Sequence, residues 1–350
     1  MFDYSYNFIM RWNLRLFLIL LVLPLNLAAT PLPVTPGCGA NSLVSGLLTR
    51  TSQTQWSSWI AELSGEKPAQ VGFRDFSILT RNSFPMFMNV PSAGAFDFVL
   101  AQVHSWVNSS QVEIEPFVNR DHGLSHTWKN LIVTLPGKLY PDQSVLMTAH
   151  LDSRSESSWV RAPGADDNAS GVAALLEALR VMHTQSFDRT IRFIFFSGEE
   201  QGLYGSQAYI ASHPTSGIVG VINMDMYGYD GDNDQCFELH VGSLAASDQI
   251  GKCFDTALQT YQPNLKRDYL LANALRDSDH APFWDKQVGA VMVTENFSYQ
   301  TQPGGCRGKD RNPYYHSTGD TLQHMNLPYG FEIFRVSLAS LASLAGASGQ

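Results

Sequence analysis

The sequence predicts an α/β protein, a largely parallel sheet covered by helices on both faces. Three observations predict it. From residue 144 the chain reads strand, loop, helix, strand: "SVLMTAH" ends in His150, "SGVAALLEALRVM" sets Val172, Leu175, Leu176, Leu179 and Met182 on one helical stripe, and "TIRFIFFSG" is an almost unbroken apolar run. That alternation is the pattern of a βαβ unit, and strands buried on both faces read as continuous apolar runs. Two more such runs, "GVINMDM" (220–226) and "GAVMVTEN" (289–296), predict further buried strands. Finally, 350 residues, 44% of them hydrophobic and 16% charged, suffice for a sizeable core and lie far from the composition of a disordered chain.

The other elements follow in chain order. Residues 14–29, "LRLFLILLVLPLNLAA", follow Arg11, carry Arg15 near their start and Ala28 and Ala29 at their end, and hold Pro24 between. This predicts a secretory signal peptide cleaved near residue 29 or 30; the run is short and broken for a membrane anchor. The mature chain is then expected outside the cytoplasm, secreted or periplasmic, with no stable membrane association. Export makes Cys38, Cys236, Cys253 and Cys306 candidates for disulfides, with three pairings open. None stands in a CxxC pattern, which argues against a cysteine metal site, and Cys38 lacks the upstream residues expected of a lipid-modified cysteine.

Within residues 41–65, "WSSWIAELSG" predicts a short helix packing through Trp56, Trp59, Ile60 and Leu63. A second helix is expected over 94–107, a strand closed by Pro-Gly over 130–137, and a final helix through Phe331, Phe334, Leu338, Leu341 and Ala345 that packs back on the sheet. No repeat or low-complexity linker interrupts residues 30–350, so they read as one domain with the 38–75 segment packed on it. A formal net charge of -9 without a Lys/Arg cluster excludes a nucleic-acid partner.

In open α/β sheets ligands gather beyond the carboxyl ends of the strands, and there the candidate groups sit. His150 and Asp152 close one strand, Glu199 and Glu200 another, Asp225 a third, while Asp166 and Asp167 of "GADDNASG" enter the helix near residue 170. So many carboxylates at one sheet edge would repel strongly, and a bound cation reverses that cost. Zinc accepts imidazole and carboxylate together, and two such ions about 3.5–4 Å apart can share one carboxylate and one water. Taken singly, the aspartates also suit a helix N-terminus and the glutamates a solvated surface. A further imidazole is needed, and "NPYYHSTGDTL" offers His316; His104, His183 and His213 read as ordinary surface or core residues.

"AHLDS", "PGADDNASG", "SGEEQGLYGS", "NMDM", "SDHAPFW" and "YHSTGDT" stand in an order and spacing that resembles the M28 family of zinc metallopeptidases, in particular its secreted bacterial aminopeptidases. The resemblance covers roughly residues 75–345 and implies a three-layer α/β/α fold around a mixed, mostly parallel sheet. It further implies two zinc ions per chain, with His150 and Asp225 on one, Glu200 and His316 on the other, and Asp167 bridging. Glu199 would be the general base toward a water shared by the metals, and Asp152 the carboxylate that orients His150. Asp279 and His280 would line the substrate side or serve the structure. Peptides with a free N-terminus are the implied substrates. One departure stands out: where some of these aminopeptidases carry a tyrosine flanked by a small disulfide, this chain has Leu275 in "LLANALRDSDH" and no cysteine. The alternatives are a one-zinc glutaminyl cyclase, a carboxypeptidase or dipeptidase of the same fold, or a binding protein that has lost the chemistry. Asn108, Asn168 and Asn296 stand in N-x-S sequons.

Overall fold

A computed structural model of the protein describes residues 38–83, 93–121, 124–297 and 302–346; the expected signal peptide at 1–29 lies outside them. Two helices come first, α1 (Ser42–Arg50) and α2 (Gln53–Leu63). Asn41 caps α1 by accepting from the Leu43 and Val44 N–H groups, and Ser52 caps α2 by accepting from Gln55 N–H. The indole of Trp56 buries fully and donates to Ser170 C=O, tying this segment to the turn that carries Asp166 and Asp167. A small antiparallel hairpin, β1 (Ala69–Val71) and β2 (Arg74–Phe76), and helix α3 (Ala93–His104) follow.

Eight strands form the main sheet: β3 (Val112–Asp121), β4 (Leu124–Leu135), β5 (Tyr140–His150), β6 (Arg189–Phe196), β7 (Ile218–Met224), β8 (Cys236–His240), β9 (Lys266–Leu270) and β10 (Ala290–Glu295). Their order is β3-β4-β6-β5-β7-β10-β8-β9. The central run β6-β5-β7-β10 is parallel, β3, β4 and β8 pair antiparallel to their inner neighbours, and β9 runs parallel to β8. Side chains alternate across it as the two-residue period requires. Val145, Met147 and Ala149 of β5 face a core shared with α1, α2, α3, α4 (Gly171–Met182), α6 (Ala245–Tyr261) and α8 (Leu327–Ala345). Leu146 faces the opposite side, where Tyr209 and Ile210 of α5 (Tyr204–Ser212) and Phe283 and Trp284 of α7 (Ala281–Asp285) pack. The result is the three-layer α/β/α arrangement.

Two disulfides form, Cys38–Cys253 and Cys236–Cys306, choosing one of the three possible pairings. The first joins the segment before α1 to α6; the second joins β8 to the loop ahead of α8. Among the described residues no helix is long and apolar enough to cross a membrane. Of the three sequons, Asn108 is exposed, whereas Asn168 and Asn296 are buried and inaccessible to glycosylation in the folded chain.

Candidate metal centre and active site

Because β5, β6, β7 and β10 run parallel, their carboxyl ends open on one edge, where the chain turns at His150, Ser197, Asp225 and Asn296. Two triads meet there. The Nε2 atom of His150 lies 3.2 Å from Asp167 Oδ1 and 3.2 Å from Asp225 Oδ1. His316 Nε2 lies 3.2 Å from the other oxygen of Asp167 and 2.9 Å from Glu200 Oε2. One ligand-type atom from each of His150, Asp167 and Asp225 falls within 4.8 Å of the others, and the same holds for Asp167, Glu200 and His316. Asp167 thus belongs to both groups, one oxygen to each.

The loop that presents Asp167 is tightly held. Gly164 adopts φ +52, and a Cβ there would meet Asp167 C=O at 2.2 Å, so glycine is required. The Asp166 and Asp167 N–H groups donate to the two oxygens of Asp320, at 2.9 and 3.0 Å. Asp166 itself points away from both triads, accepting from Gly228 N–H and Asn312 Nδ2. Beneath lies Arg81, fully buried, which donates to the carbonyls of Leu63, Leu151, Pro163 and Gly164. Burial pulls its guanidinium down to about 10, against the pull of Asp320, Asp167, Asp152 and Glu200. No feature of the sequence marked Arg81, because a lone arginine acquires this role only when distant carbonyls converge on it.

Asp152 serves the neighbouring turn. Its Oδ1 accepts from the Gly198 and Glu199 N–H groups at 3.0 and 3.3 Å, and its Oδ2 from Glu200 N–H at 3.2 Å. Toward His150 the nearer acceptor for Nδ1 is the Asp152 backbone carbonyl at 3.1 Å, the carboxylate standing at 3.7 Å. So Asp152 positions the glutamate turn by its side chain and the imidazole by its main chain. The adjacent glutamates diverge as strand-end neighbours do: Glu199 lines the cleft with a tenth of its side chain exposed, while Glu200 turns inward at 3%. Met226 and His316 hold left-handed backbone, φ 40 and 55, a conformation that non-glycine residues take at a cost and that concentrates at functional sites.

Electrostatics show what the cluster lacks. Burial pushes Glu199 well above the usual carboxylate range, with the neighbouring Asp225, Glu200 and Asp279 adding to it, and burial raises Glu200 to about 7. For His316 the contacts with Asp167 and Glu200 outweigh burial and raise it to about 9. Oε1 of Glu200 is buried with no hydrogen-bond partner among the described residues. Three carboxylates, one of them with an orphaned oxygen, and two imidazoles are a donor set of the type zinc takes, and a divalent cation removes the repulsion.

Above the triads opens a cleft of about 290 Å³ that includes Met226, Leu275, Met292, Phe297 and Tyr315. Leu275 stands in its wall, held from both sides: its N–H donates to His240 Nδ1 and its C=O accepts from His280 Nε2, each at 2.9 Å. Asp279 and His280 are fully buried behind that wall, and Asp277 and Ser278 line it instead. His104, His183 and His213 lie apart from the centre; His213 stacks on Tyr209.

Imidazoles and carboxylates at the carboxyl edge of a helix-covered, mostly parallel sheet, below a small cleft, define a metallohydrolase class of protein. More particularly, the chain belongs to peptidase family M28, whose model matches residues 130–339. A probable leucine aminopeptidase of Trichophyton verrucosum is 27% identical over 302 residues, covering 83% of this chain and 76% of that protein. A probable zinc metalloprotease of Leptosphaeria maculans is 28% identical over 256 residues, 63% of this chain and 58% of that protein. The fold is shared with the LapA aminopeptidase of Legionella pneumophila (TM-score 0.65, 20% identity, 87% of this chain and 74% of that one). It is also shared with a glutaminyl cyclase of Porphyromonas gingivalis (TM-score 0.63, 18% identity, 83% and 98%). The protein is a zinc metallopeptidase of this family.

Proposed function

We propose that the chain is an exported aminopeptidase that uses two zinc ions to remove N-terminal residues from peptides. The observation that carries this reading is the division of Asp167 between two triads, one oxygen toward His150 and one toward His316. His150 and Asp225 would hold one ion, Glu200 and His316 the other, with Asp167 common to both. Zinc bound there supplies a Lewis acid for the scissile carbonyl and lowers the pKa of water.

The remaining work falls to the chain. Glu199, the glutamate that reaches the cleft, takes the proton from the attacking water and returns it to the leaving amine. Asp152 keeps Glu199 and Glu200 in place through the three N–H groups it accepts. The cleft accommodates the first side chain against Met226, Leu275 and Met292, which suits an apolar residue, as the name of the Trichophyton relative suggests. Export is supported by the apolar leader at 14–29 and by two disulfides, which persist in oxidising compartments. Residues 30–350 would then be the mature catalytic domain.

Glu199→Gln should lower kcat on an aminoacyl reporter by about 10² to 10⁴ while zinc content stays at the wild-type level. Two zincs per chain by elemental analysis, with cleavage confined to free N-termini, are expected; a single zinc with cyclisation of N-terminal glutamine would establish the cyclase reading instead.

A further inference from the structure

Arg311 is the one lysine or arginine among the described residues that line the cleft, which is otherwise bordered by acidic groups such as Asp167, Glu199, Asp225 and Asp277. Its guanidinium lies 4.6 Å over the ring of Phe297 and 5.7 Å from that of Tyr315. Those two rings meet edge to face at 5.1 Å, and Tyr315 stacks on His316 at 3.7 Å. A continuous stack therefore links the cation to an imidazole of the metal centre.

What distinguishes Arg311 is that it stands at the cleft without an acceptor. Arg180, Arg267, Arg276, Arg307 and Arg335 each face a carboxylate, and Arg81 is spent on four carbonyls. Among the described residues, Arg311 makes no ion pair and donates no hydrogen bond; its contacts are the two rings. A planar fork of donors set over aromatic faces and left unspent matches a carboxylate in two-point geometry. The small volume adds a size limit. At about 290 Å³ the cleft is at the lower end of ligand sites, room for one or two residues, so the end of a dipeptide stays inside it. Away from the proposed metal ligands, Arg311 is the one basic side chain of the lining that can meet that end.

We propose that Arg311 receives a carboxylate of the substrate one residue past the scissile bond, which makes short acidic-ended peptides the favoured substrate class. The inference rests on the aminopeptidase reading above. The carboxylate has two possible sources, the C-terminus of a dipeptide and an Asp or Glu side chain in the second position, and Arg311 serves either.

The zinc-loaded enzyme is assayed on Leu-Gly, leucyl-glycinamide and leucyl-glutamic acid α-amide, whose main-chain carboxyl is blocked and whose side-chain carboxylate is free. The wild type should prefer a carboxylate-bearing peptide to leucyl-glycinamide by roughly ten- to a hundredfold in kcat/KM, the range of a charge-assisted hydrogen-bond pair. Arg311→Gln should erase that preference through KM, leaving kcat and the glycinamide reaction within about twofold, and Arg311→Lys should fall between. Preference for Leu-Gly assigns the main-chain terminus, and preference for the glutamyl peptide assigns the side chain. Equal losses on all three substrates overturn the proposal. Binding is read separately by calorimetry on zinc-loaded Glu199→Gln: adding Arg311→Gln should weaken Leu-Gly at least about tenfold and flatten its salt dependence. Unchanged binding in that arm also overturns it. A wild type that cleaves no peptide while Glu199→Gln still binds Leu-Gly through Arg311 sinks the peptidase reading alone.

Discussion

Asp152 shows how one side chain acts on a centre that it does not enter. Its carboxylate is buried, and burial raises its pKa, but three backbone N–H groups and the neighbouring His150 oppose that shift. Asp152→Asn removes one acceptor and aims an amide N–H at the donors of the Gly198–Glu200 turn. Loss of such supporting contacts costs about 10–100-fold in metal affinity or activity. The expected outcome is a drop of that size in kcat/KM, with zinc affinity weakened in a competition titration and the pH profile displaced, because Glu199 moves relative to its neighbours. A variant with wild-type zinc affinity and pH profile would confine Asp152 to folding. The sequence marked Asp152 by its place after His150. It did not disclose that the bonds run chiefly to the glutamate turn, since these partners lie more than forty positions away.

At the scale of elements, the elements most legible in the sequence were those with strong period and burial: β5, α4, β6, β7, β10 and α8. Their apolar runs exceed what a surface segment can carry, and the parallel sheet needs both faces covered. Other elements were passed over for physical reasons. Strand β3 is mostly solvent-facing, with Ile114 and Val118 exposed, so it lacks an apolar run. Helix α5, "YGSQAYIAS", is nearly equally apolar all round; α6 could have been found from Ile250, Phe254, Ala257 and Leu258, which share a buried face. The loop from 302 to 321, which carries Arg311 and His316, has no periodic signal and depends on the Cys236–Cys306 bridge to β8. A Cys236→Ser, Cys306→Ser double variant should lose about 2–4 kcal/mol of stability, in the usual range for a disulfide. Its KM should rise and its zinc affinity fall, because the loop is the route to His316. The Cys38→Ser, Cys253→Ser double variant should lose comparable stability by urea titration but retain KM, since that bridge lies at α6.

For the whole molecule, pH couples to stability through imidazoles that are not among the proposed metal ligands. Burial lowers His240 and His280 to about 3, and His240 Nδ1 is already occupied as the acceptor of Leu275 N–H. Near neutral pH both are neutral in the folded state, His240 donating from Nε2 to the buried carboxylate of Glu238 at 2.9 Å. Their folded values lie below the unfolded value near 6.5, so their contribution is intact above pH 6.5 and is lost as pH falls toward 3, where the unfolded chain binds protons first. The loss is on the order of 1 kcal/mol per pH unit for each imidazole. Urea titrations from pH 7 to 5 should show a falling midpoint. His280→Gln, which keeps a donor for Leu275 C=O, should show a shallower fall; parallel slopes would mean that His280 titrates alike in both states.

By itself the sequence determined the fold class, the family and the identity of the polar residues at the strand ends, because burial periodicity and short motifs are local properties. Only the tertiary structure decided that Asp167 divides its oxygens between His150 and His316, that Asp152 clamps the glutamate turn, that Arg81 underpins the centre and that Arg311 stands unspent at the cleft. Each of those facts is a distance between groups remote along the chain, set by strand order and loop closure, which no local pattern encodes.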